Sequence, residues 1–124
     1  MVIVDSCGWL EWFSDGVLAK KYKKYLENDT ELLVPTIILY EVYKVLKREA
    51  GEEKALLAFA HMKISEVIPF DENLALQAAD ISLLHNLAMA DAIVYTAALG
   101  HNCQLITSYK DLEGLPHVTF ISKA

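Results

Sequence analysis

Five short runs of aliphatic and β-branched residues, each set apart by longer stretches of helical spacing, constrain this fold more than any other feature of the chain. "VIV" at 2–4, "LLV" at 32–34, "EVIPF" at 66–70, "QLIT" at 104–107 and "VTFI" at 118–121 read as strands. Between the first two lie "WLEWF" and "VLAKKYKKYLEN", the latter with Val17, Leu18, Tyr22, Tyr25 and Leu26 near helical period. "TIILYEVYKVLKREAG" follows Pro35 and ends at Gly51, an arrangement that suits a helix with both ends marked. "EEKALLAFAHMK" predicts another short helix. "DENLALQAADISLLHN" starts at Asp71, a good N-cap, with Leu74, Leu76, Ala78, Ala79, Ile81 and Leu84 inside. A final long helix lies in "LHNLAMADAIVYTAALG" and closes at Gly100. Strands that alternate with helices predict an α/β fold whose sheet is parallel or mostly parallel and covered on both faces. In such sheets the functional site forms at the carboxyl ends of the strands, where the chain order reverses.

A chain of 124 residues is expected to form one domain, 1–124, and is long enough for a real core. No repeat, low-complexity segment or linker interrupts it. A hydrophobic fraction of 54% exceeds what so small an interior can hide, so a homodimer or a partner surface is expected. The formal net charge of −6 argues against nucleic-acid binding by bulk electrostatics, while permitting a local basic strip beside an acidic centre. Cys7 and Cys103 are far apart and form no C-x-x-C, which favours a reducing cytoplasm. "MVIVDS" has neither a basic n-region nor a long apolar stretch, so no signal peptide is expected. Pro35, Glu41 and Asp91 break the apolar runs below membrane-spanning length, so no membrane association is expected.

Four acids break the apolar pattern. Asp5 follows "MVIV" directly, at the end of the first strand, where taken alone it reads as a helix cap. Glu41 sits well inside "TIILYEVYKVL", past the reach of capping, among Ile37, Ile38, Val42 and Val45; the ordinary reading is a snorkelling or paired glutamate. Asp91 is the only charge between Ala88 and Leu99, near a helix start where the dipole favours it. Asp111 lies in "SYKDLEG", shortly after the fourth strand, where alone it is an ordinary turn aspartate. Two of the four follow strand ends and two lie in early turns of helices that could border the same edge. If they converge, repulsion raises their pKa values unless a cation neutralises them. Hard oxygen ligands without histidine or thiolate suit Mg²⁺ or Mn²⁺ rather than zinc. Carboxylate-held ions of this kind commonly handle phosphate esters, which points to metal-dependent phosphodiester hydrolysis.

"VIVDSCGWLEWF", "LLVPTIILYEVYKVL", "LAMADAIVYTAAL" and "LITSYKDLEGLPHV" resemble, in order and over almost the whole chain, the PIN domain family, especially VapC-type toxins of toxin–antitoxin pairs. The resemblance implies a PIN-like three-layer α/β/α sandwich with a central parallel five-stranded sheet. It implies a Mg²⁺- or Mn²⁺-dependent endoribonuclease that cuts single-stranded or looped RNA. By motif position Asp5, Glu41 and Asp91 correspond to the first three acids, which would bind the ion directly or through water. Thr107 matches a threonine or serine that supports the site after the fourth strand. The fourth motif departs from a common T-x-D-x-D-F-E-G-L pattern: Tyr109 stands where one frequent acid would be, and Asp111 becomes the fourth candidate acid. A cognate VapB-type antitoxin is expected to block the acidic pocket with a basic side chain. The alternative is a degenerate PIN-like module that binds RNA or a partner without cutting.

Several other residues carry two readings. Lys44 and Arg48 share a helix face with Glu41 and are candidate contacts to RNA phosphates, or else intrahelical partners on a solvated face. Ser6 could hydrogen-bond a metal-held water or cap a helix. Lys20, Lys21, Lys23 and Lys24 in "AKKYKKYLEN" could track an RNA backbone with Tyr22 or Tyr25 stacking on bases, but read better as a solvated face with the tyrosines turned toward the core. Trp9, Trp12 and Phe13 read as core or dimer contacts. The four histidines show no ligand spacing. A phosphoacceptor receiver would need adjacent acids after the first strand, and a haloacid-dehalogenase-type phosphatase would need an acid where Cys7 stands.

Overall fold

In the computed structural model, which describes residues 1–123, each of the first three strands is followed by a pair of helices. The order is β1 (Val2–Val4), α1 (Ser6–Phe13), α2 (Ala19–Leu26), β2 (Leu33–Pro35), α3 (Thr36–Ala50), α4 (Glu52–Met62), β3 (Glu66–Ile68), α5 (Glu72–His85), α6 (Met89–Gly100), β4 (Gln104–Thr107) and β5 (Val118–Phe120). Single 3-10 turns occupy Asp29–Glu31 and Lys110–Leu112. Every strand pairing is parallel, as the βαα connections require. The register sets Val4 beside Ile106 and Thr107 beside Phe120.

The α/β architecture with a parallel sheet flanked by helices is as expected, but the single five-stranded sheet is not. The hydrogen-bonded ladders form a three-stranded sheet, β1-β4-β5, and a two-stranded sheet, β2-β3. One parallel bridge, Val2 to Leu32, joins their near edges. The strands adjoining this seam are three residues long, which leaves few backbone pairs to extend a ladder beyond the bridge. Pro35 closes β2 and has no N–H to extend a ladder. Strand β2 accordingly begins one residue later than "LLV" predicts, and β3 stops before Pro69.

Local signals explain the helix limits. Asp71 caps α5 through Oδ1, which accepts from the Leu74 amide at 2.9 Å, and Asn86 ends it in the left-handed region at φ 55°. Gly51, at φ 96°, turns the chain from α3 into α4 without the penalty a Cβ would bring. Helix α6 is buried continuously from Ala92 to Ala98, with Tyr95 donating to the Pro116 carbonyl at 2.9 Å. Ile3, Val4, Val34, Leu105 and Ile106 bury the strands on both faces. Trp9 and Tyr22 pack into the same core, whereas Tyr25 is only half-buried.

Helix α5 departs from expectation. Leu76, Ala79 and Leu84 face outward, and only Ala78 is fully buried. Apolar residues occur all round this helix, so spacing alone does not select its inner face. No single helix among the described residues is long and apolar enough to cross a membrane.

Candidate functional site

The β1–β4 register brings two of the candidate residues into contact. Asp5 continues β1 by one residue, its amide donating to the Ile106 carbonyl at 2.9 Å, and Thr107 is the last residue of β4. The Thr107 hydroxyl donates to Asp5 Oδ2 at 2.8 Å and accepts from the Tyr109 amide at 3.0 Å. Asp5 Oδ1 accepts from the Ser6 amide at 2.8 Å. One carboxylate therefore caps α1 through one oxygen and meets Thr107 at the end of β4 through the other, so the capping reading of Asp5 holds.

The remaining acids reach this edge from separate elements. Glu41 projects from the second turn of α3, Asp91 from the first turn of α6, and exposed Asp111 from the 3-10 turn after β4. Burial holds the Asp5 carboxyl above the usual range, partly offset by the Thr107 and Ser6 hydrogen bonds. Glu41 is raised by burial and then by the charges of Asp5 and Asp91, while a hydrogen bond from the Ser6 side chain lowers it. Asp91 is pushed up to about 6, first by burial and then by Asp5 and Asp111. The four acids thus share one electrostatic neighbourhood, and among the described residues none of them is in an ion pair.

Such a site calls for positive charge. Its donors are hard carboxylate oxygens, which fit Mg²⁺ or Mn²⁺. Among the described residues no group of three histidine, cysteine or acidic side chains is close enough to hold one ion directly. A cation there would keep part of its water shell and touch one or two carboxylates, as Mg²⁺ commonly does.

Three neighbours escaped the sequence reading. The Cys7 sulfur lies 3.8 Å from both the Tyr22 hydroxyl and Thr107 Oγ1, and accepts from the Ser108 amide at 3.5 Å. Tyr22 in turn hydrogen-bonds Ser108. Burial, then the Asp5 charge, raises the Cys7 thiol, which stays protonated beside the acids. The position of Cys7 in the first turn of α1, two residues after Asp5, was the available signal. Tyr109 stands at the rim, and the charge of Asp111 and then of Asp91 raises its phenol.

The basic candidates do not close on Glu41. Lys44 extends over the Tyr40 ring, 5.6 Å from its centroid, with Nζ 3.4 Å from the Tyr40 hydroxyl. Arg48 pairs with Glu49 at 2.9 Å. On α2, Lys20, Lys21, Lys23 and Lys24 are exposed, as a solvated face requires. Trp9 is buried, and with Trp12 and Phe13 it surrounds the His61 ring.

A PIN domain family model matches residues 2–118. No curated protein matches the sequence. Among solved structures, a toxin–antitoxin complex from Klebsiella pneumoniae is similar at TM-score 0.80 and 22% identity, covering 100% of this chain and 98% of that one. VapC20 of Mycobacterium tuberculosis, described as a sarcin-ricin loop cleaving toxin, gives TM-score 0.72 and 19% identity over 84% and 85% of the two chains. VapBC2 from Rickettsia felis, bound to a DNA fragment from its promoter, gives 0.73 and 15% over 98% of each. At these identities the structural likeness speaks for the fold, and the family match spans nearly the whole sequence. The chain belongs to the PIN domain family.

Proposed function

We propose that this chain is a Mg²⁺- or Mn²⁺-dependent endoribonuclease, a single PIN-like domain acting in the cytoplasm as the toxin of a type II toxin–antitoxin pair. The carrying observation is that Asp5, at the carboxyl end of β1 and hydrogen-bonded to Thr107 at the end of β4, has Glu41 and Asp91 as acidic neighbours, with Asp111 beside Asp91. Asp5, Glu41 and Asp91 would hold the ion, directly or through water. When bound, the ion supplies charge to offset the negative charge developing on the phosphate and lowers the pKa of water. Asp111 completes the pocket or positions the attacking water. Thr107 fixes the Asp5 carboxylate through its 2.8 Å hydrogen bond, and Ser6 steadies Glu41. Lys44, exposed on α3 three residues after Glu41, contacts substrate phosphate, and Arg48 does so once released from Glu49.

The partners follow from the same reading. A VapB-type antitoxin would place a basic side chain among the unpaired acids. The apolar surface that α5 exposes through Leu76, Leu83 and Leu84 would close in a homodimer. Toxin–antitoxin complexes among the structural neighbours support an antitoxin partner.

A second reading is favoured by one observation: Tyr109 stands in the fourth acidic motif with its phenol among the acids. It makes the chain a non-catalytic PIN-like module that binds RNA or a partner. Incubating the antitoxin-free protein with structured RNAs in Mg²⁺, Mn²⁺ or EDTA decides between them. Metal-dependent cutting that Asp5→Asn abolishes is expected; silence from the folded protein with every metal would favour the binding module, with Tyr109→Asp the variant to restore cutting.

A further inference from the structure

We infer that the outward face of α3 is a track for single-stranded RNA, in which Tyr40 and Tyr43 stack unpaired bases while Lys44, Lys47 and Arg48 take the phosphates. The inference rests on the nuclease reading of the adjacent acidic site and names the surface that would feed it. Tyr40, Lys44, Lys47 and Arg48 fall at i, i+4, i+7 and i+8, one stripe along the helix. With Tyr43 they alone line a shallow cavity of about 530 Å³ that no carboxylate enters.

Rings and cations interleave within it. Lys44 lies 5.6 Å from the Tyr40 centroid, and Lys47 lies 5.7 Å from that of Tyr43. Tyr40 is 61% exposed, a large aromatic surface with no protein ring stacked on it among the described contacts. Lys44 has no carboxylate partner among the described residues. Lys47 and Arg48 pair with Glu52 and Glu49 across exposed contacts at 3.4 and 2.9 Å, which are weak and screened enough for phosphate to displace. Lys44 and Arg48 lie three and seven residues after Glu41, so one edge of the track shares a helix face with one of the acids. Aromatic platforms beside cations suit single strands, because a duplex keeps its base faces stacked and inaccessible. On a chain of net charge −6, three cations on one cavity form a local basic strip.

The test is fluorescence anisotropy of the full chain in EDTA, where cutting is blocked, with a short single-stranded RNA and with its duplex. Tyr40→Ala should weaken single-strand binding about tenfold or more, and Tyr40→Phe should restore it. Lys44→Gln should make the dependence of log affinity on log salt shallower by about 0.7. Tyr43 is left unaltered because it also packs on Phe59. Duplex bound as tightly as single strand, wild-type affinity in Tyr40→Ala, or equal competition by polyglutamate would each overturn the track, the last in favour of an acidic protein. Parallel cleavage in Mg²⁺ or Mn²⁺ scores the nuclease reading separately: cutting with ring-independent binding removes the track alone, and ring-dependent binding without cutting removes the nuclease alone.

Discussion

Replacing Asp91 with asparagine should stabilise the metal-free protein at neutral pH, although it removes a proposed ligand. The Asp91 carboxyl is pushed from 3.8 up to about 6 by burial and by its acidic neighbours. About two pK units at 1.36 kcal/mol each set an upper bound near 3 kcal/mol on the penalty of ionising it in the folded chain. Solvent reaching this half-buried group reduces the expected gain to about 1–3 kcal/mol. With unfolding entropy of about 2.1 cal/mol/K per residue, that is a Tm rise of roughly 4–12 °C for Asp91→Asn. The sign follows from linkage. Between 3.8 and about 6 the folded chain holds the proton more tightly than the unfolded chain, so stability falls as pH rises through that window. The gain of the variant is therefore full at pH ~7, small near pH ~4, and reduced at pH ~7 when Mg²⁺ or Mn²⁺ stabilises the wild type. Thermal melts in EDTA at the two pH values, repeated with each metal, measure this. A lower Tm for Asp91→Asn at neutral pH without metal, or an equal gain at both pH values, would refute the electrostatic reasoning.

Thr107→Val removes the hydroxyl that serves both Asp5 and the Tyr109 amide and should cost about 1–3 kcal/mol in urea unfolding. Gly8→Ala would set a Cβ 2.5 Å from Tyr22 Cε1 and 2.6 Å from Val4 Cγ1, and overpacking there should cost about 1–3 kcal/mol by the same assay. Leu84→Glu, on the exposed face of α5, should convert a micromolar dimer to monomer in sedimentation; a wild-type monomer at that concentration would contradict the proposed homodimer.

The strands and helix limits were legible because each rests on local chemistry: β-branched runs, Asp71 as a cap, Gly51 as a stop. Asp5 directly after β1 was legible from the β-branched run that precedes it. What sequence could not show was long-range. Whether β1 and β2 share a continuous ladder depends on how strands distant in sequence are set beside each other, and a single bridge is the outcome. The outward Leu76 and Leu84 reflect a helix whose apolar residues point in every direction. The Cys7–Ser108–Tyr22 contacts join positions 86 to 101 residues apart, beyond any local pattern. Lys44 offered Glu41 a neighbour at i+3, yet it lies over Tyr40 instead, a choice between two side-chain contacts of similar strength.

Asp5, Glu41, Asp91 and Asp111 are proposed to form a divalent-cation site. Electron paramagnetic resonance of Mn²⁺ titrated into the full chain tests it most directly. Saturable binding is expected, displaced by Mg²⁺ and abolished in folded protein by Asp5→Asn and by Asp91→Asn. Absence of saturable binding at millimolar Mn²⁺, or binding that survives both substitutions, would contradict it.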